Sequence, residues 1–337
     1  MVNLLSDTVT QPTPAMRRAM ANAPVGDDVF REDPSVNELE AYAAELMGHE
    51  AALFCPSGTM TNQIAMKLHT RALDEVICDK TSHVYNYETG GAAYHSRVTM
   101  NLLDGTNGKI TPDQIRAAVK ADYDWLPTSR LVVLENTCNK GGGTVYTHAE
   151  MRAVRDRCDE LNLRLHLDGA RLFNALVATG DAPAGVGRLF DSVSICLSKG
   201  LGAPVGSLLC GPADFVRRGR RFRKVMGGGM RQAGILAAGG LYALRHHVDR
   251  LKIDNDRAAA LGDFLVAQSY VAAVRPVQSN ILIFDLTPQY TAAEFVGRLL
   301  QHGVKASAFG PQTVRFVTHM DVSEEDLGRV RDVLQAL

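Results

Sequence analysis

The chain has 337 residues, of which 46% are hydrophobic and 22% are charged. This length and composition are typical of a globular enzyme with a sizeable core, organised as one large domain and a smaller one. The 36 basic and 37 acidic residues leave a net charge near zero, which argues against a nucleic-acid partner. The six cysteines show neither zinc nor disulfide spacing, so no metal site is expected.

The amino terminus and the hydropathy of the chain predict a cytoplasmic protein. MVNLLSDTVT lacks the basic segment and the apolar core of a signal peptide. No apolar run reaches the length of a membrane span, so no membrane partner is expected. The single basic run, RRGRRFRK at 217–224, is interpreted as the solvated face of a helix.

The first fifty residues predict an extended segment followed by two helices. Two prolines precede the first helix, which is expected over 15–21. Ser35 and Glu38 have the spacing of a capping box at the start of the second helix. Apolar residues then recur at helical intervals as far as Gly48, which is expected to end that helix.

From residue 51 to residue 210, short apolar runs alternate with helical segments. Strands are predicted at 51–55, 75–79, 131–135, 164–168, 192–197 and 207–210, and helices at about 60–68 and 149–161. This alternation predicts an α/β fold built on a doubly wound, mostly parallel sheet. Such sheets bind their ligands beyond the carboxyl ends of the strands.

The last third of the chain has a different pattern. A glycine triplet at 227–229 precedes a helix over about 230–246. Strands at 280–286 and 313–317 and helices at 292–302 and 323–337 then predict a small α+β unit. We therefore expect a large domain over residues 1–250, including an amino-terminal arm, and a small carboxy-terminal domain over 251–337.

The most informative stretch is SVSICLSKGLGAPVGSLLCG, residues 192–211. Lys199 follows one predicted strand, and Asp168 ends the strand before it along the chain. A lone lysine at a strand end is more often simply solvated. With an acid at the neighbouring strand end, however, the pair suits pyridoxal phosphate, since the acid keeps the ring nitrogen protonated and the lysine bonds to the aldehyde carbon. We therefore expect pyridoxal 5'-phosphate as the cofactor.

Two further groups follow predicted strands at the same edge. Ser57, Gly58 and Thr59 form a turn before a helix, where free backbone N–H groups favour a phosphate, although many such turns only cap helices. His83 follows the next strand and is positioned to stack on the cofactor ring. A histidine of this kind is more often only a hydrogen-bonded loop residue, so this interpretation depends on its neighbours.

With these residues in place, the chain resembles the threonine aldolase family, whose fold is the aspartate-aminotransferase-like fold type I of pyridoxal phosphate enzymes. The resemblance covers residues 4–323. Leu5, Phe30 and the lack of a histidine near Trp125 depart from the family pattern. The first is expected to affect packing, and the other two leave the stereochemical preference open. The segments that resemble the family, in order, are LLSDTVTQPTPAM, GDDVFREDP, CPSGTMTNQ, SHVYNYETGG, LENT, LHLDGARLFNA, SICLSKGLGAPVGS, GGGMRQAG and RFVTHMDVS.

The resemblance implies a lyase that cleaves L-threonine or L-allo-threonine to glycine and acetaldehyde, in threonine catabolism and glycine biosynthesis. It implies that Lys199 bonds to the cofactor, that Asp168 binds the ring nitrogen and that His83 stacks on the ring. His83 is also our hypothesis for the base that removes the proton of the substrate hydroxyl. The family resemblance further implies a homotetramer, a dimer of dimers with its sites at the dimer interface.

The resemblance also implies how the substrate and the phosphate are held. Ser6, Arg171 and Arg315 match positions that grip the substrate carboxylate, and Arg171 also lies against the cofactor. Lys224 and Arg231 are predicted to reach the phosphate of a neighbouring subunit. Two alternatives stay open from the residues alone: a β-eliminating lyase or an aminotransferase on the same scaffold, and a non-catalytic binding protein that kept it.

Overall fold

A computed structural model describes residues 1–337, and its centre is a seven-stranded sheet. A separate four-stranded sheet and a two-stranded pair lie outside it. The strands are β1 (Val2–Asn3), β2 (Ala51–Cys55), β3 (Asp74–Asp79), β4 (Thr99–Leu103), β5 (Thr128–Glu135), β6 (Arg164–Gly169), β7 (Ser192–Cys196), β8 (Ser207–Gly211), β9 (Val271–Val274), β10 (Ile281–Leu286), β11 (Val304–Lys305), β12 (Ser307–Ala308) and β13 (Thr313–Val317).

Helices cover both faces of the large sheet and support the smaller one. None of them combines the length and the apolar composition that crossing a membrane requires. The helices are α1 (Pro14–Ala21), α2 (Pro34–Met47), α3 (Gly58–His69), α4 (His83–Asn86), α5 (Pro112–Ala118), α6 (His148–Glu160), α7 (Leu172–Thr179), α8 (Pro183–Gly187), α9 (Ala213–Val225), α10 (Gly234–His246), α11 (Leu251–Val266), α12 (Ala292–Gln301) and α13 (Glu324–Gln335).

The large sheet has the strand order β2-β8-β7-β6-β5-β3-β4 and is parallel except at β8. β8 runs antiparallel because only residues 197–206 connect it to β7, whereas a parallel neighbour needs a longer crossover. The remaining strands all end at one edge, which we call the carboxyl edge. The predicted doubly wound, mostly parallel sheet is therefore confirmed.

The main core explains why these strands appear as continuous apolar runs in the sequence. β6 and β7 are buried on both faces, as parallel strands between two helix layers must be. A second core of 20 buried residues lies between the four-stranded sheet and its helices, and Val2 and Leu4 from the amino terminus belong to it. The division of the chain near residue 250 stays a prediction.

One helix start differs from its prediction. Asp33, not Ser35, caps α2, and its Oδ1 accepts a hydrogen bond from the backbone N–H of Val36 at 3.1 Å. Ser35 instead donates to the carbonyl of Pro24 at 2.7 Å. The predicted capping box is wrong because proline at 34 is suited to the first helical position, which places the cap at Asp33, two residues earlier.

Candidate active site

The sequence-predicted residues converge on the carboxyl edge of the large sheet. Gly58 begins α3 directly after β2, and His83 begins α4 after β3. Asp168 is the next-to-last residue of β6, and Lys199 follows β7 by three residues. Each therefore lies beyond, or at the end of, a buried strand, where ligands bind in open α/β sheets.

Asp168 is a buried carboxylate without a cation. Its Oδ2 accepts a hydrogen bond from the Asn62 side-chain amide at 2.9 Å, and its Oδ1 accepts one from the backbone N–H of Ala170 at 3.2 Å. It forms no ion pair, although only 3% of its surface is exposed. Because burial of an unpaired charge is costly, this site fits a ligand that brings a positive N–H group, such as a protonated pyridine ring.

Lys199 is half-buried beside Asp168's strand and has no acidic partner. Together with residues 169–171 and Cys196 it lines a small cavity at the end of β6 and β7. Its charge is close enough to Asp7 to help lower the pKa of that carboxyl. An amine without an acidic partner, in a cavity at the end of the strand that carries Asp168, suits the covalent attachment of an aldehyde cofactor.

His83 is held from two sides. Its backbone N–H donates to a Glu135 carboxylate oxygen at 2.7 Å, and its ring Nδ1 lies 3.0 Å from Glu88 Oε1. Burial lowers the pKa of His83, but the hydrogen bond with Glu88 and the charge of Asp168 outweigh it and raise the pKa above its ordinary value. The neutral imidazole that we expected as a base therefore becomes dominant only at a higher pH than for a free histidine.

Glu88 and Asn62 are site residues that the sequence interpretation missed. Asn62 donates through its amide to both Glu88 Oε1 and Asp168 Oδ2, each at 2.9 Å, and Gln63 donates to Glu88 Oε2 at 2.5 Å. The nearest atoms of His83, Glu88 and Asp168 lie within 4.8 Å of one another, a spacing that a metal ion could also bridge. Amide N–H groups point at these carboxylate oxygens, however, so the trio forms a hydrogen-bonded network.

Glu135 completes the network below His83. It ends β5 directly opposite Asp168 on β6 and accepts backbone N–H groups from His83 and Asn139 at 2.7 and 2.8 Å. Burial, together with the neighbouring charge of Asp168, raises the pKa of Glu135 to about 7. The edge therefore holds three carboxyl groups: Glu135 accepts two backbone N–H groups, Asp168 accepts one, and Glu88 is contacted by side chains alone.

The two arginines that were predicted to bind the substrate carboxylate, Arg171 and Arg315, differ in whether they already have an acidic partner. Both Nε and an Nη of Arg171 donate to Asp7 at 2.7 Å, in a buried bidentate pair, so its charge is already compensated. Arg315 forms no ion pair: it donates to Asn139 Oδ1 at 2.9 Å and to the Leu5 carbonyl at 3.1 Å. Burial, with the repulsion from Arg171, lowers the pKa of Arg315 to about 10. Of the two arginines, Arg315 is thus the one that is free to pair with the carboxylate of a substrate.

Ser6 lies next to this arginine pair, one residue after Leu5. Its hydroxyl caps the short helical turn Asp7–Val9 and accepts hydrogen bonds from the N–H and the hydroxyl of Thr8 at 3.2 and 2.9 Å. The carbonyl of Leu5 holds Arg315, so this departure from the family pattern acts through its backbone and leaves the arginine contact in place. The amino-terminal arm therefore delivers three groups to the carboxyl edge.

The predicted phosphate turn has the required geometry. Ser57 caps α3 by accepting the N–H of Met60 at 3.2 Å, which leaves the other first-turn N–H groups without a partner inside the helix. A Cβ atom at Gly58 would lie only 2.9 Å from Cys196 Sγ, so the close approach of this turn to β7 requires glycine. Thr59 follows in the same turn, at the positive end of the helix dipole, where a phosphate is favoured.

Lys224 and Arg231 do not join these residues within one chain. Lys224 is exposed in the last turn of α9, and Arg231 is exposed and donates to Asp27 at 2.8 Å. The glycine segment between them nevertheless reaches the first turn of α3, because a Cβ atom at Gly228 would clash with the sulfur of Met60. Within one chain, therefore, Arg231 pairs with Asp27, and Lys224 has no acidic partner.

Comparison with known proteins agrees with this geometry. A family model described as β-eliminating lyase matches residues 3–287. The low specificity L-threonine aldolase of Escherichia coli K12 is 43% identical over 331 residues, which cover 98% of this chain and 97% of that protein. The probable low-specificity L-threonine aldolase 2 of Arabidopsis thaliana is 40% identical, with 97% and 94% covered.

Solved structures show the same fold at lower identity. Leishmania major threonine aldolase superimposes with a TM-score of 0.85 at 24% identity, covering 100% of this chain and 99% of that one. Sphingomonas wittichii serine palmitoyltransferase gives a TM-score of 0.78 at 16% identity, covering 99% and 86%. The chain thus has the α/β fold of these proteins, which is the fold type I class. Within that class, the chain belongs to the threonine aldolase family of β-eliminating lyases.

Proposed function

We propose that the protein cleaves 3-hydroxy-α-amino acids, with L-threonine and L-allo-threonine as substrates, to glycine and an aldehyde. The observation that supports this most directly is a pair of unpaired charges at one edge, one buried and one half-buried. Asp168 is an anion without a cation, and Arg315 is a cation without an anion. A cofactor with a protonated ring nitrogen and an amino acid with a carboxylate satisfy both.

The residues of this chain then divide the work of binding. Asp168 would hold the ring nitrogen, with its own oxygens fixed by Asn62 and the backbone of Ala170. Lys199 would anchor the cofactor, and Ser57, Gly58 and Thr59 its phosphate. When bound, pyridoxal phosphate supplies an electron sink for the negative charge at the α-carbon. His83, which approaches from the β3 side, would cover the ring.

Arg315 and Ser6 are proposed to orient the substrate by its carboxylate. Arg171 contributes indirectly, because its ion pair with Asp7 holds the amino-terminal arm that contacts Arg315. A planar guanidinium can fix a carboxylate in two directions and thereby decide which bond at the α-carbon is aligned for cleavage. In the reaction, the hydroxyl loses its proton, the bond between the α- and β-carbons breaks as the aldehyde forms, and the α-carbon then takes up a proton to give glycine. His83 is the proposed acceptor of the hydroxyl proton.

The decisive experiment is a product assay. The purified protein is incubated separately with L-threonine and L-allo-threonine, and glycine and acetaldehyde are measured over time. Equal amounts of the two products support the proposal, and the two rates give the stereochemical preference. Pyruvate from serine, or an oxo acid from another amino acid, would instead favour the β-eliminating lyase or the aminotransferase.

His83→Phe should keep an aromatic ring over the cofactor but remove the proposed base. We expect kcat to fall by roughly 10²-fold or more, the usual contribution of a positioned general base. The parent should also gain activity as the pH rises through the pKa of His83, because the imidazole must be neutral to accept a proton, and the variant should lack this rise. Cleavage at the parental rate would show that another group takes the proton.

Glu88→Gln should move the same pH profile without removing the histidine. Glu88 raises the pKa of His83 by accepting its hydrogen bond, so its neutralisation should lower that pKa and shift the acidic limb of activity downward by roughly one pH unit. The measurement is kcat/KM for L-threonine between pH 5 and 8, with Glu294→Gln on the surface helix α12 as the control. An unchanged limb would contradict the assignment.

We also propose that the protein is a homotetramer, a dimer of dimers, in which Lys224 and Arg231 reach the phosphate of the neighbouring subunit. Both cations are exposed, and the structure shows no contact between either of them and the carboxyl-edge residues of their own chain, which supports this. A cytoplasmic role in threonine catabolism and glycine biosynthesis belongs to the same proposal. Six free cysteines, five of them buried, suit a reducing compartment.

Mixing two inactive variants tests this arrangement. Lys199→Ala lacks its own cofactor anchor, and Arg231→Ala lacks the cation offered to its neighbour. In a hybrid dimer, one site combines the intact Lys199 of one subunit with the intact Arg231 of the other. We expect activity to reappear when the two variants are refolded together, up to about half per hybrid dimer. No recovery would place Arg231 in its own subunit's site or outside both sites.

A further inference from the structure

A second cavity lies at the opposite edge of the large sheet, where β3, β5 and β6 begin. Its volume is about 880 Å³, which is the size of a small-molecule site. Its walls come from the end of α3, residues 214–222 of α9 and the starts of these strands. Because it is at the amino ends of the strands, we call it the amino-edge cleft, and it does not share a residue with the active site.

The amino-edge cleft is strongly basic. Six of its residues are lysines or arginines and three are aspartates, so the lining carries a net charge of about +3 with its histidine neutral. The aspartates are already matched: Asp74 pairs with Arg130, Asp191 with Arg164, and Asp214 with Arg218. The cations that remain without an acidic partner are Lys67, Arg71 and Arg221.

Aromatic rings form part of the same wall. His69 stacks on Phe215 with ring centroids 4.6 Å apart, and the ammonium of Lys67 lies 6.0 Å from the centre of the Phe222 ring. Three uncompensated cations around a ring-lined cavity suit an anion with a compact negative group and an organic body. A phosphate ester has this chemistry.

His69 connects the cleft to the active site by hydrogen bonds through the sheet. Its Nε2 lies 2.8 Å from the hydroxyl of Ser192, and that hydroxyl lies 2.8 Å from Nδ1 of His166. His166 Nε2 lies 3.2 Å from the amide oxygen of Asn62, and the Asn62 amide donates to Asp168 Oδ2 at 2.9 Å. Ser192, His166 and Asn62 are buried.

One tautomer of His166 lets all links of this chain point in the same direction. In the other tautomer, Nδ1–H donates to the backbone carbonyl of Ser192, which lies 3.1 Å away. Asn62 donates to Asp168, so its oxygen accepts from His166 Nε2–H, which leaves Nδ1 of that ring to accept from Ser192. Ser192 then accepts from His69 Nε2–H. Burial lowers the pKa of His69 to about 4 and that of His166 to about 3, which favours the neutral rings that this order needs. Ser194 also approaches His166 Nε2, at 3.4 Å, but at a longer distance than Asn62.

We propose that the amino-edge cleft binds a small phosphate ester and that the chain His69–Ser192–His166–Asn62 couples this binding to Asp168. An anion beside His69 stabilises positive charge on its ring and so strengthens each donor in turn. The final donor acts on the carboxylate that is proposed to hold the ring nitrogen of the cofactor. A ligand in the cleft, at the opposite edge of the sheet, would thereby change how strongly Asp168 holds the proton on the ring nitrogen of the bound cofactor.

Binding is tested on the cofactor-loaded protein, whose own phosphate turn is filled. Inorganic pyrophosphate is titrated by calorimetry at constant ionic strength, and the double variant Lys67→Met, Arg221→Met is compared with Arg116→Met, Lys252→Met. The second pair removes the same charge from surface ion pairs outside the cleft. We expect one pyrophosphate per chain and about tenfold weaker binding in the first pair alone. No binding, or equal binding by both pairs, overturns the site.

Coupling is tested by the absorption spectrum of the bound cofactor. Pyrophosphate should shift the spectrum of the parent, and Ser192→Ala should still bind pyrophosphate but lose the shift, because it interrupts the chain between the two histidines. An unchanged spectrum in the parent, or the same shift in Ser192→Ala, overturns the coupling. Neither readout depends on which substrate the enzyme cleaves, so failure here is distinct from failure of the proposed aldolase activity.

Discussion

Lys199→Ala is expected to lose threonine cleavage by at least about 10³-fold, the scale of effect seen when a residue that bonds covalently is removed. The reason is positional as well as chemical. Lys199 is the amine that lies in the cavity at the ends of β6 and β7, and no acid neutralises it there. The measurement is the rate of acetaldehyde release from L-threonine, together with the absorption of the purified protein, which should lose the yellow colour of a lysine-bound cofactor.

A trapping experiment makes this prediction more specific. Borohydride reduction of the parent should fix the cofactor on one peptide, the one that contains Lys199, as seen by its mass. Lys199→Arg should be as inactive as Lys199→Ala, because a guanidinium keeps the charge but does not form the bond. Lys252→Ala, which removes an exposed lysine paired with Asp256, is the control and should retain parental activity. A trapped cofactor on any other lysine would overturn the assignment.

The sequence was sufficient for the strands that position the site. β2, β6 and β7 are buried between two helix layers, so they appear as apolar runs, and the residues that follow them must reach the same edge. Gly58, Asp168 and Lys199 were predictable for that reason. Their chemistry follows directly from where a parallel sheet places the ends of its strands.

The network around Asp168 was not predictable in this way. The hydrophobic pattern of α3 does not distinguish Asn62 as a site residue. Its partner Glu88 lies 26 residues further along the chain. Asp7 and Arg171 are 164 residues apart, and only the folded structure shows that they pair. Local periodicity describes how an element meets the core, whereas these contacts depend on which elements meet one another.

The smaller sheet also shows that local sequence patterns predict individual strands but not the long-range contacts between elements. Its strands at Ile281–Leu286 and Thr313–Val317 were predicted within one residue, because both are short apolar runs. α11 was missed, since its buried positions include Asp254 and Asn255 and its apolar stripe is weak. Val2 and Leu4 were placed in an extended arm, but their contribution to the second core depends on β1 pairing with β11, about 300 residues away.

Arg315→Gln is expected to lower kcat/KM for L-threonine by roughly 30- to 3000-fold, the effect of removing one partner from a buried charge pair at about 2–5 kcal/mol. Arg315 is a half-buried arginine at the carboxyl edge without an acidic partner, so the substrate carboxylate is the charge that would pair with it. Because the free protein gains no ion pair from this arginine, its thermal stability should change little. This separates a binding role from a structural one.

The chain offers a closely matched control for this arginine. Arg298 lies over the ring of Tyr290 at 4.7 Å, as Arg315 lies over the ring of Phe309 at 4.7 Å, but it is on α12, away from the carboxyl edge. Arg298→Gln should therefore leave kcat/KM within about twofold of the parent, the margin for a surface substitution. An inhibitor that resembles the substrate but lacks its carboxylate should bind the parent and Arg315→Gln equally well. If Arg315→Gln weakens that inhibitor as much as it weakens L-threonine, the arginine acts on the shape of the site, and the carboxylate is held by another group.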